Sequence, residues 1–193
     1  MHFMTRYGQA MSLAQARLRS WKRATLRLFR REDGAAAVEF GLVAVPFLAM
    51  VFAIMETGLV FFAGQALETA TADSARLIMT GQAQTQGFDQ AAFKNSVCNK
   101  IQGLFNCAAG IMVDVRTYTS FANITNPNPI NGQGNLNYNF VYQPGGPGSI
   151  VVVRLMYQWP VYVSLLGLNA LSNMSGSNRL LVSTVAFRNE PYQ

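Results

Sequence analysis

The stretch GAAAVEFGLVAVPFLAMVFAIMETGLVFFA, residues 34–63, contains only two charged side chains, Glu39 and Glu56. Its inner part, residues 40–63, is 24 residues long. At a helical rise of 1.5 Å per residue that is roughly 36 Å, against about 30 Å for a bilayer core. The run is therefore long enough to cross a membrane as one helix. Pro46, about two turns in, lacks an N–H and crowds the preceding turn, which predicts a kink, not a stop. An acid in hydrocarbon costs a few kcal/mol, so Glu39 at the mouth of the run is a functional candidate that requires a partner. Glu56 follows 17 residues later, about 26 Å along a helix. That spacing puts it near the outer interface, where it either stays hydrated or meets a neighbouring subunit.

Charge is distributed unevenly about this run. Residues 1–34 carry eight Arg and Lys against Glu32 and Asp33, whereas the remainder balances seven against seven, so the chain's net +6 lies entirely on one side. The positive-inside rule then places residues 1–34 in the cytoplasm and residues from about 65 onward outside it. A basic arm alone allows either topology or nucleic-acid binding, and the one-sided placement about the apolar run favours topology. Leu18, Trp21, Thr25, Leu28 and Phe29 recur at near-helical spacing among the basic residues, which fits either an amphipathic helix on an anionic leaflet or a basic tail that only sets orientation. A conventional secretory signal is disfavoured, because the apolar stretch exceeds the usual h-region and opens with Glu39. An uncleaved anchor stands as the alternative to processing after Gly34.

Gly34 followed by Glu39 and Phe40 resembles the class IVb prepilin-like recognition pattern, in which a peptidase cuts after glycine and the fifth mature residue is glutamate followed by an aromatic. The wider segment, residues 34–77, is similar to the amino-terminal segment of TadE-like proteins, pseudopilins of the tight-adherence (Flp/Tad) pilus system. Val97-Cys98, Asn106-Cys107, Val113-Asp114-Val115 and the closing Arg188-Asn189-Glu190-Pro191-Tyr192 also look familiar from that family. The resemblance implies cleavage between Gly34 and Ala35 by a prepilin peptidase, and contacts with other Tad pilins and pseudopilins and with the inner-membrane assembly platform. It also implies a role in surface attachment and biofilm formation. Cleavage would make the Ala35 amine the new terminus, and the Glu39 carboxylate of a neighbouring subunit would neutralise it; the alternative is that Glu39 reaches to the cytoplasmic headgroups.

The chain beyond the membrane reads as one extracytoplasmic domain, residues 82–193, after a leader (1–34) and a long helix (35–81) that spans the membrane to about residue 63. Phe62, Ala66, Ala70, Ala75 and Ile78 continue a helical stripe, and Thr80-Gly81 offers a glycine C-cap. After a polar connection at residues 82–87, Phe93, Val97, Ile101 and Leu104 recur as on a second helix, with Gly110 beyond its end. Residues 111–118, 150–157 and 180–187 read as strands, and Pro160 ends the second or marks an edge. The class is α+β: a long helix and a second helix packed on an antiparallel sheet of at least three strands. Residues 123–149, rich in Asn, Gly and Pro, read as a solvated loop with a short strand at 140–142; a partner-binding loop is the sharper alternative. Asn123-Ile124-Thr125 forms a glycosylation triplet, a weak signal.

Cys98 and Cys107 fall on the oxidising side of the membrane, where a bridge about ten residues long would add roughly 2.5–3 kcal/mol by loop-closure entropy. Two buried free thiols are the alternative. Nothing points to an enzyme. The sole histidine, His2, sits in the leader, no phosphate-binding glycine loop occurs, and the five acids of the soluble part are too scattered to nominate a pair. No catalytic residue, cofactor or metal site is assigned.

Overall fold

The computed structural model describes residues 32–101, 103–162 and 171–192. The basic leader and its amphipathic stretch, up to residue 31, lie outside the described residues. The chain divides into two units, Met1–Val51 and Phe52–Gln193. Helix α1, Glu32–Met79, runs through Pro46 and contributes to both. Its stop at Met79 is chemical: Gly81 adopts φ 78°, the left-handed conformation that only glycine enters freely, and donates its N–H to Ile78 O at 3.0 Å. A side chain at Gly81 would also collide with the ring of Tyr192.

In the second unit, α1 buries Val60, Ala63, Leu67, Ala70, Ala75 and Ile78. With buried Thr71 and Ser74 filling the step from Ala70 to Ala75, they follow the three- and four-residue spacing of one face of a 3.6-residue helix. The predicted stripe is corrected at its start. Phe62 is exposed and Ala66 only partly buried, because the face that meets the sheet is set by Val60, Ala63 and Leu67, about 100° away per residue step.

A short helix α2, Gln82–Thr85, replaces the expected irregular connection. Helix α3, Gln90–Lys100, is capped by Asp89, whose carboxylate accepts from Ala92 N at 2.7 Å. It buries Phe93 and Val97. The second helix is thus shorter than its periodicity predicts: Ile101 is buried beyond its end, Leu104 lies outside it, and a separate turn, α4, Cys107–Gly110, leads into the sheet.

Three antiparallel strands follow, β1, Ile111–Tyr118, β2, Ile150–Pro160, and β3, Asn178–Arg188, in that order across the sheet. The fold is α+β. Side chains alternate between faces, and Ile111, Val113, Val115, Val151, Val153, Leu155, Tyr157 and Leu181 join the α1 and α3 residues in one core. Central β2 is buried continuously from Val151 to Tyr157, so its second face is covered as well. Residues 141–143 run parallel to β1 through one bridge, Val115 with Tyr142: Val115 N donates to Val141 O and Gln143 N to Val115 O, each at 2.8 Å.

The end of the chain closes the domain. Glu190 N donates to Met79 O at 2.8 Å, satisfying a carbonyl that the end of α1 leaves orphaned. Buried Asn189 donates from Nδ2 to Pro144 O and Gly146 O, both at 3.0 Å. The closing Arg188–Tyr192 residues therefore fasten the last turn of α1 to the turn before β2.

Candidate functional site

Within the first unit, Gly34 lies in α1 and is partly exposed, and Ala35 to Phe40 are all exposed, Phe40 at 75%. Glu39 has no hydrogen-bond or ion-pair partner among the described residues. Large apolar side chains stay bare along the helix, among them Leu42, Val45, Phe47 and Met50. In water such a continuous surface would be an aggregation liability. Gly34–Met79 is long and apolar enough to cross a membrane, and its most apolar window is wholly unburied by the protein itself. The surface suits hydrocarbon, not a protein core.

Glu56, in the second unit, differs from its expected hydrated setting. It is buried, with 6% of its surface exposed, and its carboxylate accepts a hydrogen bond from Tyr162 N. The cause is the path of the chain after Pro160, which brings Val161 and Tyr162 over this turn of the helix. The Tyr162 side chain itself points out, 81% exposed. Glu56 is therefore bonded inside its own subunit.

Cys98 and Cys107 are brought together as a disulfide, with Cα atoms 5.5 Å apart. It ties α3 to α4. Beside it, Phe105 meets Tyr157 edge-on at a centroid distance of 4.9 Å.

The sequence reading missed a polar cluster on the second face of the sheet. Asp114 and Arg154 are cross-strand partners, each 2% exposed. Asp114 accepts from Arg116 Nε at 2.9 Å, from Tyr138 OH at 2.9 Å and from Val141 N at 3.0 Å. Arg154 donates to Tyr138 OH at 2.7 Å and also to Asn126 Oδ1. The Arg116 and Arg154 guanidiniums lie 5.2 and 5.4 Å from the Tyr138 ring centre, within cation–π range. The hydrogen bond and charge of Asp114 push the Arg116 pKa up, and burial with the Asp114 hydrogen bond pushes Tyr138 up.

The cluster pins the loop at residues 123–149, which is otherwise solvated as expected, no residue of it being buried. Asn126, Tyr138 and Val141 belong to that loop and are fastened to the sheet. The signal was present in the sequence: Asp114 and Arg154 each interrupt an apolar strand core, where a charge is kept only if partnered. The arrangement is a fastener. Its one acid is saturated with donors, and it sets no nucleophile beside a base. Among the described residues no group of three or more His, Cys, Asp and Glu is placed to hold a metal ion.

The family model for TadE-like protein matches residues 34–76. The matched segment covers less than a quarter of the chain, opens at Gly34, contains Glu39, Phe40 and Glu56, and follows α1 almost to its end. The likenesses noted at Val97-Cys98, Val113-Asp114-Val115 and the closing Arg188–Tyr192 residues fall outside it. No curated protein matches the chain, and no solved structure does.

Proposed function

We propose that this protein is a non-enzymatic pseudopilin of a tight-adherence (Flp/Tad) pilus system. In this reading it sits in the inner membrane with residues 1–34 cytoplasmic and the α+β domain periplasmic, and a prepilin peptidase processes it after Gly34. The observation that carries the reading is a coincidence of position: the TadE-like match begins at Gly34 and lies on the one helix, among the described residues, whose apolar surface the protein leaves bare. Supporting it, exposed Glu39 is the fifth residue after that glycine, suitably placed to neutralise a new Ala35 amine on a neighbouring subunit. The partners are the prepilin peptidase, other Tad pilins and pseudopilins, and the assembly platform; the outcome is surface attachment and biofilm formation.

One observation favours a second reading, an uncleaved single-span protein presenting its domain to the periplasm: α1 already includes Glu32 and Asp33, so Gly34 lies inside a helix. The amino terminus of protein purified from its native membrane separates the two. Intact mass and terminal sequencing should give a start at Ala35 that depends on an active peptidase. A leader retained in the presence of that peptidase would leave only the anchor reading.

A further inference from the structure

At the end of the sheet opposite Glu56 and Tyr162, residues 117–121, residues 147–150 and Arg188 surround an open cleft of about 640 Å³. That size lies within the roughly 300–1,000 Å³ of small-molecule sites. Its walls are held by a main-chain bond, Asn189 N donating to Ser149 O at 2.8 Å, and by the Thr117 side chain, whose Oγ1 donates to Gln143 O at 2.8 Å.

The chemistry of the lining is one-sided. No carboxylate borders the cleft. Arg188 donates from Nε to Gly148 O at 3.0 Å, and no acid lies within ion-pair distance of it among the described residues. Thr119 Oγ1 accepts from Asn123 Nδ2 at 3.0 Å and Ser149 Oγ accepts from Gly146 N at 3.2 Å, so both hydroxyl hydrogens remain available to donate. Ser120 supplies a third hydroxyl. At the rim Phe121 is 55% exposed, although the domain buries most of its other large apolar side chains. An occupant should thus be anionic, rich in acceptor oxygens, and equipped with an apolar face for the ring.

We infer that this cleft binds an acidic saccharide of the uronate class. Its carboxylate would pair with the Arg188 guanidinium, its hydroxyl and ring oxygens would accept from Thr119, Ser120 and Ser149, and its C–H face would lie on Phe121. A simple anion would use Arg188 and leave the ring and hydroxyls unemployed. The inference does not rest on the pilus reading, since it concerns binding by the isolated protein.

The test is calorimetry on the full chain in detergent micelles with trigalacturonate, with maltotriose as the neutral control and sodium phosphate as the simple anion. Trigalacturonate should bind saturably and more weakly as salt rises. Arg188→Gln should weaken it by about tenfold or more, the loss of one charge-assisted pair. Phe121→Ala, at an exposed side chain, should weaken it severalfold with an unchanged far-UV circular dichroism spectrum, and guards against misfolding in the arginine variant. No saturable binding, equal binding of maltotriose, a signal reproduced by phosphate alone, or indifference to both substitutions would each overturn the assignment.

Discussion

Replacing Asp114 with Ala tests whether the loop fastener holds the domain together. The carboxylate is 2% exposed and accepts from Arg116 Nε, Tyr138 OH and Val141 N. Its removal leaves the equally buried Arg154 guanidinium without the cross-strand carboxylate to which Tyr138 OH links it. Removing one partner of a buried charge pair costs about 3–5 kcal/mol, a large part of the roughly 5–15 kcal/mol that stabilises a whole domain. At about 2–4 °C per kcal/mol for a chain of this size, Tm should fall by roughly 6–20 °C. Asp114→Asn keeps one acceptor and should lose less, and Arg116→Ala, at a partly exposed donor, should lose least. Urea and thermal unfolding of the full chain in detergent give the free energies. Hydrogen exchange at Gln143 N, which bonds to Val115 O, reports the loop. The reasoning fails if Asp114→Ala costs under about 1 kcal/mol or leaves Gln143 protected.

Replacing Cys98 and Cys107 together with Ser should cost roughly 2.5–3 kcal/mol, seen as a lower urea midpoint that reductant no longer shifts; an unchanged midpoint would remove the bridge from the account of stability. Tyr142 has a buried hydroxyl with no partner among the described residues, and burial together with Asp89 pushes its pKa up to about 12. The folded state then holds this proton more tightly than the unfolded chain, so the associated stability is complete below about pH 10 and lost as pH rises toward about 12. Tyr142→Phe keeps the ring contact with Phe93 at 5.7 Å and should flatten that decline without lowering stability near neutrality; a steeper alkaline decline would contradict the assignment. Glu56→Ala removes a charge-assisted bond to Tyr162 N, worth about 1.5–3 kcal/mol, and should raise exchange at that amide more than Glu56→Gln does. Equal exchange in both variants and the parent would show that the contact is idle.

The elements were legible where the pattern was local. Residues 111–118, alternating from Val113 onward, bound β1 as observed, and the Gly81 stop and the cysteine pair needed only conformational freedom and proximity. What failed was the environment of the polar positions. Alternation from Val113 to Tyr118 assigns Asp114 to a wet face, but wetness depends on what covers the sheet, and the cover is a loop whose Asn, Gly and Pro content signals only irregular backbone. The loop is anchored by the Asn126 and Tyr138 side chains and the Val141 main-chain N–H, a spacing with no period to detect. Helix α3 ends early for a related reason: Ile101 and Leu104 keep the apolar rhythm beyond Lys100, yet the link from Cys98 to Cys107 lets the chain turn there and still bury Ile101.

The two acids of the apolar run show how coordinates divide residues that sequence treats alike. Glu39 and Glu56 both carry the cost of a charge in a low-dielectric setting, and both invite a partner from another subunit. Glu56 meets that need at home, because the segment leaving β2 supplies a main-chain N–H to its carboxylate. A subunit contact is then not required to explain its presence, and its role becomes holding the domain to the helix turn that bears it. Glu39 has no such donor among the described residues and stands on an exposed face. On the proposed pilin-like reading, the demand for an external positive charge therefore falls on Glu39, and the Ala35 amine answers it only if the leader is removed. On that reading cleavage and neutralisation are coupled: before the cut Glu39 has no countercharge among the described residues, whereas the cut would expose an amine able to neutralise the Glu39 of a neighbour.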